Sequence, residues 1–167
     1  MSSTPAAVPV DGTRRTYFIE GDVANIDAIT LAELASAVEI HNYITTDGFQ
    51  NGGEQAPIAD GRHGSSSDYE LPGRETNSLM VQYTFNLNEP EDDKARLAMA
   101  KNTKGVIVEM LQVEEDEANA AGDWYEAYPV TCGKQNIVQT AANALDRILQ
   151  KMFLRGRKAE FRQLAAA

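Results

Sequence analysis

The clearest signal in the chain is an alternation. In "NSLMVQYTFNL", Leu79, Val81, Tyr83, Phe85 and Leu87 share one parity, and Met80, Gln82, Thr84 and Asn86 the other. Period two over this length predicts a strand with one face on a core and the other in water. "AVEIHNYIT" (37–45) repeats the pattern, with Val38, Ile40 and Ile44 against Glu39, His41 and Tyr43, and predicts a second half-buried strand. "RTYFIE" (15–20) and the β-branched "GVIVEMLQV" (105–113) read as further strands. "DWYEAYPVTCG" (123–133) is aromatic-rich and extended, and Pro129 marks an edge position or a bulge.

Two segments have helical signatures. Thr30 and Glu33 in "TLAEL" form a capping box ahead of a short helix from Leu31 to Ser36. "NEPEDDKARLAMAKNTKG" predicts the main helix, over about residues 90–103. Asn88 or Glu89 caps it, and Pro90 suits its first turn. Glu91, Asp92 and Asp93 complement its positive end, Lys101 and Lys104 lie near its negative end, and Gly105 stops it. The C-terminal part supports two readings. Leu145, Ile148, Leu149, Met152 and Phe153 fall at helical spacing. Residues 147–155 also fit a strand, with Ile148, Met152 and Leu154 on one side and a turn at Gly156 and Arg157 into "AEFRQL". Periodicity prefers the helix.

Between the predicted strands runs "TTDGFQNGGEQAPIADGRHGSSSDYELPG", with Gly48, Gly52, Gly53, Gly61, Gly64, Gly73 and a triple serine at Ser65 to Ser67. It predicts a long inter-strand loop over about residues 46–76. Unstructured connections above about 12–15 residues are uncommon in compact domains and are usually functional or disordered. Residues 1–14, rich in Pro, Ala and small polar groups, predict a flexible N-terminal arm and leave 15–167 as a single domain.

Charge narrows the function. The chain of 167 residues carries a formal net charge of −10, which argues against binding nucleic acid by phosphate neutralisation. Residues 146–167 hold Arg147, Lys151, Arg155, Arg157, Lys158 and Arg162 against Asp146 and Glu160, a local excess of basic charge. That end is either a solvated tail or a surface that meets an acidic face of another copy. The single cysteine, Cys132, excludes an intramolecular disulfide framework and reads as a small buried hydrophobe. No apolar run is long enough for a transmembrane helix, and the N-terminus does not read as a secretory signal.

Catalytic patterns are missing. No Cys/His cluster has metal-ligand spacing, and no nucleophile elbow, P-loop or dinucleotide fingerprint occurs. The acidic run 91–93 is explained by helix-start electrostatics, and "EEDEANAAGD" lacks the glycine and spacing of a calcium loop. Asp60, His63 and Ser65 to Ser67 lie close together, but on a loop with nothing to hold them rigid. The expectation is a protein that is not an enzyme, with no metal and no cofactor.

The order of parts carries a resemblance. An early strand leads into "LAELASAVEIHNYITTDGF". A Gly-rich excursion ends in "ELPGRETNSLMVQYTFN". One helix, a β-branched strand and "WYEAYPVTCGKQ" follow. Over roughly residues 15–164 this resembles the major tail tube protein of long-tailed, siphovirus-like bacteriophages. The resemblance implies a mainly β fold, a β-sandwich or partial barrel with one flanking helix. It implies hexameric rings that join their sheets and stack into the tube through which phage DNA passes into the host. It also makes the C-terminal segment strand, against its periodicity. The location implied is the virion tail, assembled in the host cytoplasm. The implied partners are further copies of the chain and the tail terminator, tape-measure and distal tail proteins. DNA would pass without specific binding, and no membrane is involved.

On this reading the long loop orders on assembly, with Tyr69, Leu71, Pro72 and Gly73 at the subunit interface. Arg155, Arg157, Lys158 and Arg162 supply a second, basic contact. A bore lined by acidic and neutral polar groups repels phosphate, and Glu39, Gln82, Thr84, Asn86 and Glu109 are the lumen-facing candidates. The alternatives are a soluble β-barrel ligand-binding module with a closed apolar pocket, a related secretion-system tube component, and a small enzyme using His41 or His63.

Overall fold

The computed structural model describes residues 5–166. Its elements are β1 (Arg14–Glu20), α1 (Leu31–Ala35), β2 (Val38–Glu39), β3 (Ile44–Asp60), β4 (Tyr69–Thr84), α2 (Lys94–Ala98), β5 (Lys104–Leu111), β6 (Trp124–Ile137), β7 (Arg147–Leu154) and β8 (Ala159–Gln163). The strands form one antiparallel sheet in the order β2-β1-β5-β6-β7-β4-β3, with β8 also paired to β6. The sheet curls into a half-barrel.

Burial differs along the sheet, and the sequence says why. In β1 and β5 apolar residues run continuously, and both faces are covered. Phe18, Ile107, Tyr128 and Val130 join Leu79, Val81, Tyr83, Ile148 and Met152 in a first core under α2. Tyr17, Ile19, Val106, Val108, Met110, Tyr125 and Ala127 face the opposite way. They form a second core with Leu34 of α1 and with Ala159 and Leu164. β4 alternates, so only its Leu79–Val81–Tyr83 side is buried. The capping box of α1 is present as read: the Thr30 hydroxyl accepts from the Glu33 N–H, and the Glu33 carboxylate accepts from the Thr30 N–H.

β6 is the axis of the sheet. One edge pairs with β5. The other is shared, with β8 on Trp124–Ala127 and β7 from Val130 onward. Pro129 sits where the partner changes, so its missing N–H costs no ladder bond, and its carbonyl accepts from Arg155 N–H at 2.8 Å. The register irregularities fall elsewhere, at Cys132/Gln135 and Tyr125/Ala127. Cys132 is buried in the first core, its thiol pushed up to about 11 by burial.

A buried amide network ties α2 to the sheet. The Gln150 amide donates to the carbonyls of Met99 (2.8 Å) and Gly133 (2.9 Å) and accepts from the Tyr83 hydroxyl (2.9 Å). Gln135 donates to the Tyr83 hydroxyl (2.9 Å) and the Arg96 carbonyl (2.9 Å). These bonds shorten the expected 90–103 helix to Lys94–Ala98. Side chains from the sheet take the carbonyls that further turns would need, and Asn102 turns the chain at φ 69°. Asp93, expected to face the helix dipole, is buried and pairs with Arg96.

Four further expectations are corrected. The predicted 46–76 loop is a hairpin, with β3 and β4 paired from Phe49↔Val81 out to Asp60↔Tyr69 across one register shift. Residues 37–45 are not one strand. β2 ends at Glu39, a turn closes with Tyr43 and Ile44 N–H on the Ile40 carbonyl, and β3 begins at Ile44. Residues 147–154 are strand, as the resemblance implied and the periodicity did not: Ile148 and Met152 are inside, while Leu149 and Phe153 face out. β4 ends at Thr84, so Leu87 is exposed.

Gln150→Leu removes the amide, leaving the Gly133 carbonyl without its side-chain donor and the Tyr83 hydroxyl without its acceptor, while the Met99 carbonyl keeps Gln135 at 3.2 Å. The expected loss is about 2–4 kcal/mol of unfolding free energy, since each stranded buried group costs roughly 1–3 kcal/mol. Denaturant titration measures it, and an unchanged midpoint removes the network from its place in the fold.

Candidate assembly interface

Beyond the body, β3 and β4 continue as a projecting arm. Residues 51–59 of β3 are exposed on both faces, as is most of Tyr69–Ser78 in β4. Its root is shaped by two irregularities. Between Ile44 and Phe49 the register shifts, and Gly48 lies so close to β4 that a Cβ there would stand 2.2 Å from the Gln82 carbonyl oxygen. Between Gln55 and Pro57 it shifts again. Here Gly73 fits against the Ala56 carbonyl, where a Cβ would stand 2.5 Å away. Outside this bulge Ile58 pairs with Leu71 and Asp60 with Tyr69. Directly paired residues share a face, so Ile58, Leu71 and Tyr69 form one exposed apolar strip. Pro72 pairs with Pro57 and lies on the other face.

The basic end lies at the arm's root. A cleft there is lined by Glu75 and Asn77 of the arm and by Arg157, Lys158, Glu160 and Arg162. Their charges already meet partners in the same chain. Arg155 bonds Asp22 (2.8 Å) and the Val130 carbonyl (3.0 Å), bracing the point where β6 changes partner. Arg157 and Arg162 converge on Asp27, and Lys158 lies 2.6 Å from Glu160. The Arg157 guanidinium holds the Asp27 carboxyl below its ordinary range, with Arg162 adding to it.

The lumen candidates do not share a face. Gln82 and Thr84 lie on the side of β4 turned away from the first core, together with Leu149, Lys151 and Phe153 of β7. Glu109 has the parity of Ile107 and opens on the opposite side. Glu39 is on the edge strand β2, 3.8 Å from Arg15, and Asn86 lies past the end of β4. Alternation fixed parity within each strand but not which strands' faces coincide.

Glu109 belongs to a polar mouth beside the first core. It pairs across the ladder with Glu126, which accepts from the Tyr128 hydroxyl at 2.6 Å, and it lies 3.7 Å from Arg14. Burial raises the Glu109 pKa; Arg14 opposes the shift and the Glu126 charge adds to it. His41 packs near Tyr17, with ring centroids 6.1 Å apart. Asp60 bonds Arg62, and Ser65 bonds Ser67, so the tip residues are engaged separately.

Sequence reasoning missed Ile58, whose "QAPIAD" context carries no alternation, and the outward row on β7, hidden by its helical spacing. Direct pairing with Leu71 and Met80 is what reveals them. No helix among the described residues is long and apolar enough to cross a membrane.

The open-edged half-barrel and its projecting hairpin define a β-rich structural subunit. The phage tail tube protein family matches residues 1–167, and the chain belongs to that family, whose members are structural proteins and not enzymes. It is thus a structural component of a phage tail. A solved chain from the anti-feeding prophage (AFP) baseplate, determined by cryo-electron microscopy with 6-fold symmetrisation, shares the fold. The TM-score is 0.51 at 14% identity, over 95% of this chain and 98% of that one. No curated protein matches it in sequence.

Glu109→Gln tests the polar mouth. A carboxyl with a raised folded pKa contributes stability that is complete below its unfolded value and lost as pH rises through the folded one. The amide variant is therefore expected to melt higher than the parent at pH 7, with the difference closing below pH 4.5, the ordinary glutamate value. A lower melting temperature at pH 7 rejects the assignment.

Proposed function

We propose that this chain builds the tail tube of a long-tailed phage. Hexameric rings form by sheet-edge pairing between neighbours and stack into a conduit for DNA. The observation that carries the reading is the outer edge of β3. This strand of 17 residues pairs only with β4 among the described residues, so one row of its backbone groups is open to a neighbouring copy. A heterologous contact of this kind closes into a ring when its rotation divides the circle.

The bore, in this reading, is lined by the uncovered face of β4 and β7. Gln82 and Thr84 are neutral and polar, and the basic groups of the row are Arg147 and Lys151. No carboxylate stands among the named side chains of this row, so it is net basic, unlike the acidic and neutral polar lining expected from the sequence, and Arg147 and Lys151 are the groups that would meet phosphate. Glu39, Asn86 and Glu109 are left outside it. Tyr69, Leu71 and Pro72 are placed in contacts between copies, with Gly73 shaping the bulge that presents them. Arg157 and Lys158 flank the root of the same arm. Tail terminator, tape-measure and distal tail proteins would meet the ends and bore of the tube.

Purified protein examined by negative-stain electron microscopy is expected to show rings and tubes. Uniform small particles at high concentration overturn the proposal. Gln82→Arg with Thr84→Arg should leave tubes intact but reduce DNA delivery by assembled particles, and undiminished delivery rejects this face as the bore. Replacing residues 56–74 by Asn-Gly should keep the melting temperature close to the parent's and abolish tubes. Tubes that persist remove the arm from assembly.

A further inference from the structure

The face of the sheet opposite the first core is covered at one end and bare at the other. Over β1, β5 and the start of β6 it packs under α1, Ala159 and Leu164 as the second core. Past that cover the register carries it across three strands. Lys104 of β5 pairs with Thr131 of β6, and Thr131 with Phe153 of β7. Two residues back along β7 stands Lys151, and the β6 irregularity between Cys132 and Gln135 sets Gly133 and Lys134 opposite it. Arg147 has the same parity at the start of β7. Lys104, Lys134 and Lys151 are exposed, and the Phe153 ring lies among them, 53% exposed. None of these cations forms an ion pair among the described residues, whereas Arg155, Arg157, Lys158 and Arg162 all do. Asp146 and Asp47 border only the Arg147 end, Asp47 through Thr45 beside Gln82. Two local contacts set the lysine end. Gly133 makes room for the Phe153 ring, from which a Cβ there would stand 3.0 Å. The Lys151 ammonium lies 5.3 Å from the centre of that ring.

We infer that this uncovered face binds the phosphate backbone of DNA without reading its sequence. From Phe153 to Arg147 the cationic field runs about 20 Å along β7, at about 3.4 Å per residue. Duplex DNA carries one negative charge per about 1.7 Å of its axis, so a stretch of that length presents roughly 12 phosphates. Lysine is a compact point charge on a flexible stem, and spaced rows of it follow a repeating polyanion better than they enclose one small anion. Contacts to phosphate position a duplex and carry no base information. The net charge of −10 does not cancel the field. At physiological salt the screening length is about 8 Å, so a phosphate over Lys151 responds to the lysines around it more than to carboxylates elsewhere on the chain. The inference deepens the proposed bore, on which its role in the tube rests. There the wall holds DNA by weak, exchangeable contacts and slows its passage, where an acidic wall would only repel it.

Fluorescence anisotropy of a labelled, mixed-sequence DNA duplex tests it. The full-length chain is kept dilute enough that electron microscopy shows no rings, so the face is open. Affinity is expected to fall as salt rises. Lys104→Gln, Lys134→Gln and Lys151→Gln together should weaken binding by about tenfold or more at low salt. They should also lower the slope of log affinity against log salt by about 3. Arg62→Gln, Arg74→Gln and Lys94→Gln remove the same charge from exposed positions elsewhere, and that variant should stay within about twofold of the parent. Thermal melts matching the parent confirm that both variants fold. Equal losses in the two variants, or no loss in the first, overturn the inference. A parent that binds no duplex at low salt also overturns it; if the lysine variant then loses self-association, the face meets an acidic surface of a second copy instead. Tubes from a parent whose dilute subunits bind no DNA leave the proposed tube standing. DNA binding through the three lysines by a parent that never forms rings or tubes supports this face and rejects the proposed function.

Discussion

A strand has two hydrogen-bonding edges, and among the described residues β3 pairs along one of them, with β4, between Ile44 and Asp60. Buried backbone groups must be paired, and exposed ones are available to whatever approaches. The rest of the architecture follows from leaving this edge open at the end of the sheet. A closed barrel would have no margin to offer, and a short β3 would have a margin too small to recognise. Natural edge strands are usually blunted, and some blunting is visible here. Pro57 and Pro72 interrupt the ladder near the bulge, and the two register shifts bend the hairpin away from a flat template. The edge is open, but it does not suit an arbitrary strand.

Stability and the proposed contacts between copies are assigned to separate parts of the molecule. The body holds two cores on the two faces of one sheet, and the Gln150–Gln135–Tyr83 network locks α2 over the first. The arm contributes no residue to the fully buried core beyond its root, where Leu79 and Val81 enter. This division lets the arm change without unfolding the body. It also explains why an apolar strip survives on the arm: nothing among the described residues lies opposite Ile58 and Leu71 to cover it. The buried amides work in the other direction. A satisfied polar network in a core fixes one packing arrangement and excludes near-equivalents.

The legibility of the sequence tracks the presence of a core. β4 and β5 were readable because their residues face one core or two, and burial imposes the period. The α1 capping box was readable because it is local. The distal parts of β3 and β4 were not, because a hairpin in solvent has no buried face to impose alternation. Gly52, Gly53 and Gly73 there resemble loop punctuation although they lie within paired strands. The 90–103 helix was overestimated because the partners that end it, Gln135 and Gln150, arrive from distant strands. β7 looked helical because Leu149 and Phe153 are apolar on its uncovered side, and adding them to Ile148 and Met152 mimics a 3.6-residue repeat. The five lumen candidates scattered for a related reason: parity is a property of one strand, and the curl of the sheet decides which parities meet.

The charge of −10 bears on the proposed assembly of copies. Like-charged copies repel, and within the basic end Arg155, Arg157, Lys158 and Arg162 are already paired with Asp22, Asp27 and Glu160 of the same chain. In the proposed tube, contacts between copies can rest on interactions that do not need opposite charge. Backbone pairing along an open edge and burial of apolar side chains are the two the structure offers. At physiological salt the screening length is about 8 Å, so repulsion between exposed carboxylates fades over the distance at which these short-range contacts begin. A copy that approaches without aligning its edge or its arm gains neither contact and still meets the repulsion. Net charge then acts as a filter on geometry: it disfavours disordered association and leaves ordered pairing as the route by which copies can join.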